Sequence, residues 1–367
     1  MIKVLIVDDS PTIQEYLRHI ISMDEELEVA GMARDGDEAV RLVQKTHPDV
    51  VTMDIQMPRM DGYEATRKIM EVHPVPIVVI SSTLDPEQVS DTFRAIRAGA
   101  VAALEKPKGP GHPESDRMAA KIVQTVKLMS EVRVVKRFSP ANRRTDRKSG
   151  ASRDIPSKCV SVCPDKSGKV RDIRPREVKV VAIGASTGGP PVIRTILSNL
   201  PENFPVPILL VQHIAPGFLQ GMVEWLDKES ALSLQISNHG ERIRAGHAYF
   251  APDGYHTGIS RTGEILLSRN SPVNGLRPSV SHLFQSVAEA FGRRAAGVLL
   301  TGMGKDGAPE LKLMREAGAV TIAQDKESSV VHGMPGEAIK LDAAKHILSP
   351  EEIADFLCQL ERIRGKG

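Results

Sequence analysis

Short apolar runs recur along this chain, each ended by a glycine or a polar residue and followed by a stretch of helical periodicity. Ile2 to Val7, Val50 to Met53, Ile77 to Ile80 and Val101 to Leu104 are such runs in the first third, with a more polar one at Glu28 to Ala33. Val180 to Ile183, Ile208 to Val211, Gly297 to Leu300 and Val320 to Ala323 repeat the pattern towards the C-terminus. Runs of this length, bounded this way, read as strands covered on both faces. Strands alternating with helices imply a doubly wound parallel sheet, whose ligands sit beyond the carboxyl ends of its strands. The expected fold class is therefore α/β twice over: an N-terminal (βα)5 domain, then a second doubly wound, mainly parallel domain.

Between them the periodicity stops. Ser, Arg, Lys, Pro and Asp dominate residues 133–176, which reads as a flexible linker between domains at 1–132 and 177–367. Residues 130–176 hold 14 Lys/Arg against 5 Asp/Glu, a net +9, which leaves −7 for the rest of a chain of formal charge +2. The folded parts are thus acidic, which argues against a nucleic-acid-binding domain. Cys159 and Cys163 lie in the linker with no His or Cys near enough to complete a zinc site, so unpaired thiols are expected. No apolar run is long enough to span a bilayer, and Met1 leads straight into a strand, so no membrane insertion and a cytoplasmic location are expected.

The carboxyl-edge rule converts positions into sites. In the first domain Asp8 and Asp9 end one strand, Asp54 ends another, and Ser81 and Lys106 follow two more. Three converging carboxylates repel unless a hard divalent cation such as Mg²⁺ joins them, and a hydroxyl with a lysine beside them suits a phosphoryl group. These residues resemble the receiver domain of bacterial two-component systems. That resemblance implies Asp54 as phosphoacceptor and Asp8, Asp9, Asp54 and the Gln56 carbonyl as Mg²⁺ ligands. It implies Ser81 and Lys106 as phosphate contacts. Receivers commonly carry Tyr or Phe three residues before the lysine; Ala103 stands there, leaving no aromatic switch.

In the second domain Gly184-Ala-Ser186-Thr-Gly188 fits G-x-S-x-G at a strand-to-helix turn, where a serine hydroxyl is lifted into the open. Taken alone, the stretch serves equally as an anion cradle at a helix N-terminus; no Gly-Lys-Ser/Thr follows, so a nucleotide P-loop is not met. His213 and Asp306 also lie just past the ends of buried strands. Singly, each has a plain structural reading, as a loop hydrogen bond and as a helix N-cap. Jointly with Ser186 they supply nucleophile, base and orienting carboxylate. Gly302-Met-Gly304-Lys-Asp306-Gly307, with Asp325 about twenty residues on, also spells the dinucleotide fingerprint. Against it, Asp306 sets a negative charge where a pyrophosphate would sit. Residues 247–268 read as hairpin structure turning at Thr262-Gly263, Val280 to Phe291 as a helix, and Pro350 to Ile363 as the last helix.

A receiver, a linker and a domain carrying Gly-Ala-Ser-Thr-Gly-Gly, Val-Gln-His and Thr-Gly-Met-Gly-Lys-Asp-Gly-Ala resemble the chemotaxis protein-glutamate methylesterases, the CheB family. The resemblance implies hydrolysis of glutamate methyl esters on methyl-accepting chemoreceptors, with glutamine deamidation as a second activity and no cofactor for either. It implies a chemotaxis-type histidine kinase as phosphodonor, and a receiver that covers the catalytic site until phosphorylated. It assigns Ser186 as nucleophile, His213 as base and Asp306 as orienter, with Met303 N–H in the oxyanion hole and Thr187 lining the site.

Overall fold

A computed structural model describes residues 1–81, 86–109, 111–132, 134 and 178–362 of the chain. The linker expected at 133–176 lies almost wholly outside the described residues, as do Cys159, Cys163 and the loop that follows Ser81.

The first domain runs β1 (Ile2–Val7), α1 (Pro11–Ser22), β2 (Leu27–Ala33), α2 (Gly36–Thr46), β3 (Val50–Met53), α3 (Gly62–Val72), β4 (Ile77–Ser81), α4 (Pro86–Ala98), β5 (Ala102–Glu105) and α5 (Ser115–Ser130). Its five strands lie in the order β2-β1-β3-β4-β5, all parallel. The helices start where the sequence supplies caps. The Asp35 carboxylate accepts from Glu38 N–H and the Asp61 carboxylate from Glu64 N–H, each satisfying an end donor that the helix itself cannot.

The second domain runs β6 (Val180–Ala185), α6 (Gly189–Ser198), β7 (Ile208–Gln212), α7 (Leu219–Asp227), β8 (Ser233–Ile236), β9 (His247–Phe250), β10 (His256–Ile259), β11 (Ile265–Ser268), α8 (Val280–Phe291), β12 (Ala295–Leu299), α9 (Ala308–Glu316), β13 (Val320–Gln324), α10 (Met334–Lys340), β14 (His346–Leu348) and α11 (Pro350–Arg362). Seven strands form one sheet in the order β14-β13-β12-β6-β7-β9-β8, again all parallel. The hairpin expected over 247–268 is only half right. β10 and β11 pair antiparallel as a separate ribbon, whereas β9 joins the main sheet between β7 and β8. Apolar side chains cover both faces of both sheets, and no helix among the described residues is long and apolar enough to cross a membrane.

The two domains meet along α4 and α7. Val89, Phe93 and Arg97 recur every four residues and so share one face of α4; Gly221, Trp225 and Glu229 recur in the same way along and just beyond α7. A Cβ on Gly221 would stand 2.4 Å from Val89 Cγ1, so glycine is what lets the helices approach here. One turn on, Phe93 stacks against Trp225 with centroids 5.6 Å apart. A turn further, Arg97 reaches Glu229 at 3.2 Å, and Arg194 of α6 holds the other oxygen of that carboxylate. A second point of contact is Val330 and Val331, after β13, which pack on the apolar cluster of the first domain.

Candidate active site

β6 is the central strand, with β12 on one side and β7 on the other. The crevice at its carboxyl end is the switch point where doubly wound sheets bind ligands. Ser186 is the first residue past β6. Its N–H donates to Thr301 O at 3.0 Å and its carbonyl accepts from Gly189 N–H at 2.9 Å, which folds the chain sharply into α6. Gly188 sits at φ +78°, a conformation that disfavours any residue with a side chain. Gly302 lies so close that a Cβ on it would stand 2.6 Å from Ser186 Cβ. The loop after β12 therefore touches the serine only because it carries glycine there.

His213 is the first residue past β7. The β6–β7 register ends at Ala185 opposite Gln212, and His213 N–H donates to Ala185 O at 2.9 Å, so Ser186 and His213 emerge side by side. His213 Nε2 lies 3.0 Å from Asp306 Oδ2, an ion-pair distance, although the ring N–H is not aligned for a hydrogen bond. Asp306 is 3% exposed. Its carboxylate accepts from Val280 N–H at 2.7 Å, Ser279 Oγ at 2.8 Å and Ser281 N–H at 3.3 Å, which places it on the positive end of α8. Burial pushes its pKa up, but His213, Ser279 and Ser281 outweigh burial and hold it down at about 2. Asp306 is therefore an anion well below neutral pH. Thr187 and Met303 are half-buried at the same edge, and the Met303 N–H and Ser186 Oγ make no hydrogen bond among the described residues.

At the equivalent edge of the first domain, Asp8, Asp9 and Asp54 offer oxygens that all lie within 4.8 Å of one another, a donor set that could hold a hard divalent cation. Lys106 Nζ bridges Asp54 at 2.7 Å and Asp8 at 3.0 Å. Ser81 is fully buried with its Oγ lacking a hydrogen bond, while Gln56 is exposed two residues past Asp54. Burial dominates the titration of Asp54 and, over the pull of Lys106, raises its pKa to about 6. Burial also raises Asp8; it works against the charge on Lys106, but Asp54 and Asp8 outweigh it and raise that pKa too.

The sign of the Asp54 shift makes a prediction. Unfolded, the carboxyl titrates near 3.8, and folded near 6. Between those values the folded chain binds the extra proton, so stability falls as pH rises through the window. Above it, the buried charge costs on the order of 3 kcal/mol. In chelator, Asp54→Asn should melt above the wild type at pH 7.5, and the gap should close towards pH 4. A gap of constant size across that range would refute the attribution.

Comparison with known proteins follows this division. The CheB methylesterase family model matches residues 181–357, and the response regulator receiver domain model matches residues 4–112. A protein-glutamate methylesterase/protein-glutamine glutaminase of Geobacter metallireducens is 54% identical over 361 residues, covering 98% of this chain and 99% of that protein. The chain belongs to the CheB methylesterase family. A like-named protein of Syntrophus aciditrophicus is 49% identical, covering 98% of each chain, and one of Nitrosospira multiformis is 47% identical over 100% of this chain and 99% of its own. The first domain is a receiver, joined to a CheB methylesterase domain.

In a CheB methylesterase domain the glycine fingerprint needs another explanation. Asp306 turns inward to His213 and α8. Gly307, at φ +83°, packs where a Cβ would stand 2.4 Å from Val280 Cγ1. Asp325 is occupied within its own loop, accepting from Ser328 N–H at 3.0 Å. The pattern is thus a turn that presents the Asp306 carboxylate to His213 and α8. Two residues that the motifs did not single out hydrogen-bond these groups: Ser279 to Asp306, and Gln212 to the Ser186 and His213 carbonyls. Ser279 was visible as a serine just ahead of an apolar helix, and Gln212 as the residue before the histidine.

Proposed function

We propose that this chain hydrolyses glutamate methyl esters on the cytoplasmic helices of methyl-accepting chemoreceptors, with methanol as the first product. The observation that carries the reading is Asp306, buried, held anionic and 3.0 Å from His213, beside a serine whose hydroxyl is uncommitted. Ser186 Oγ attacks the ester carbonyl and its proton passes to His213. With Nε2 turned to Asp306, the nitrogen available to the serine is Nδ1. The developing oxyanion meets backbone N–H donors, Met303 among them. Collapse of the tetrahedral intermediate breaks the C–O bond, and methanol leaves with the proton from His213. Water, deprotonated by the same imidazole, then cleaves the acyl-serine and leaves glutamate. A glutamine side chain follows the same route with ammonia as the poorer leaving group, so deamidation is the slower reaction. Thr187 lines the substrate's side of the turn.

The receiver controls access. A chemotaxis-type histidine kinase supplies the phosphoryl group to Asp54; Asp8, Asp9, Asp54 and the Gln56 carbonyl would hold Mg²⁺, and Ser81 and Lys106 would contact the phosphate. Held there, Mg²⁺ would offset charge on the carboxylates and phosphoryl oxygens. The buried, unpartnered Ser81 Oγ and the bridging position of Lys106 support this reading. The packing of α4 on α7, the helix that follows His213, supports a resting state in which the receiver restricts the crevice, as does the contact of Val330 with Gly188. The substrate helices place the enzyme in the cytoplasm. Methanol release from methylated receptor helices, with labelling of Ser186 by a serine-directed phosphonate, tests the reaction. Labelling on another residue would defeat it.

A further inference from the structure

Ser186 and His213 lie one residue beyond the last register pair of β6 and β7, and the last backbone tie between the two segments is His213 N–H to Ala185 O at 2.9 Å. One side chain spans them. Gln212 is 5% exposed, and its Nε2 donates to Ser186 O at 2.8 Å and to His213 O at 2.9 Å. Its Oε1 faces Gly189, where an added Cβ would stand 2.1 Å away, and makes no hydrogen bond among the described residues. The amide orientation is settled by this arrangement, because reversing it would set an oxygen against two carbonyl oxygens. A primary amide places two N–H bonds on one atom; Met, Leu and ionised Glu of similar length offer none.

We infer that Gln212 is a positioning residue of the esterase: its amide adds a tie beyond the last backbone rung, clamping the segment that carries the nucleophile to the segment that carries the base. The inference rests on the reading of Ser186 and His213 given above. Gln212 touches neither reacting atom, so its effect is on their separation. Misplacing reacting groups by about 1 Å costs on the order of 10²-fold in rate.

The test uses the full-length chain with acetyl phosphate and Mg²⁺ present. Gln212→Met should lower kcat by about 10²-fold with KM within about twofold, and slow phosphonate labelling of Ser186 by the same factor. Gln212→Glu supplies the readout that a merely structural role would not move. Ionised, it presents no donor to the two carbonyls; protonated, it presents one. Its kcat relative to wild type should therefore recover as pH falls. Melting temperatures recorded over the same pH range separate this recovery from a gain in folded protein. Wild-type kcat and labelling rate in Gln212→Met, or a Gln212→Glu ratio that does not change with pH, would overturn the clamp while Ser186→Ala stays inactive. Activity surviving in Ser186→Ala would instead overturn the underlying reading.

Discussion

Ser186→Ala should lower methanol release by on the order of 10⁴- to 10⁶-fold, and His213→Ala by a similar factor, because nucleophile and base act as a unit and the loss of either removes the same pathway. Asp306→Asn should cost somewhat less. It keeps the shape of the side chain but gives up the negative charge that stabilises the imidazolium formed in the transition state, and it turns an N–H towards donors at the start of α8. The double variant of Ser186 and His213 should be no slower than the worse single one. In the wild type, Asp306, held at a pKa of about 2, stays ionised and adds no limb of its own to the activity profile above that pH. Stopped-flow turnover on a small methyl ester, with circular dichroism to verify the fold, measures all of these. Substantial turnover in folded Ser186→Ala would end the serine mechanism.

Loosening the helix pair between the domains should change activity in the opposite direction. Trp225→Ala removes an aromatic pair worth about 1 kcal/mol beyond its buried area. Arg97→Glu replaces attraction to Glu229 by repulsion, worth about 1 kcal/mol or less at so exposed a site. Together they shift the equilibrium between restricted and open arrangements by roughly 2 kcal/mol, a factor of about 30. Unphosphorylated enzyme held mostly in the restricted form should therefore gain activity by roughly that factor. Acetyl phosphate with Mg²⁺ should raise wild-type activity towards the same ceiling, leave Asp54→Ala unchanged and add little to the loosened variant. If the loosened variant is no faster than resting wild type on a small ester, the receiver is not an access control, and phosphorylation must act by bringing the enzyme to its receptors.

The individual sites were legible because each group follows the end of an apolar run. Asp8, Asp54, Lys106, Ser186, His213 and Asp306 could all be placed at one edge of their sheets before any coordinates. What joins them was not legible. Ser279 and Gln212 act through hydrogen bonds to residues 26 or 27 positions away, which no local pattern encodes. β9 was misread because a four-residue strand carrying His247 and Tyr249 looks like half a hairpin, while its partners Ile208 and Ser233 lie outside the local window. α10 went unseen because Pro335 and Gly336 are poor helix formers, and tertiary packing of Met334 and Ala338 overrides them. Val89 and Phe93 belong to a stripe that reads equally as the receiver's own core, so nothing in α4 announced that part of it faces another domain.

Catalysis and control rest on parts of very different durability. The three groups of the proposed triad leave from three adjacent strands in the middle of a seven-stranded sheet, tied there by backbone ladders and a buried helix end. The proposed restraint rests largely on one pair of helices and a short valine contact. Structure of the second kind opens well before structure of the first. Warming should therefore carry the enzyme through an interval in which it is intact and fully active but no longer answers to phosphorylation, so a cell near its upper growth temperature would demethylate its receptors whatever the kinase reports.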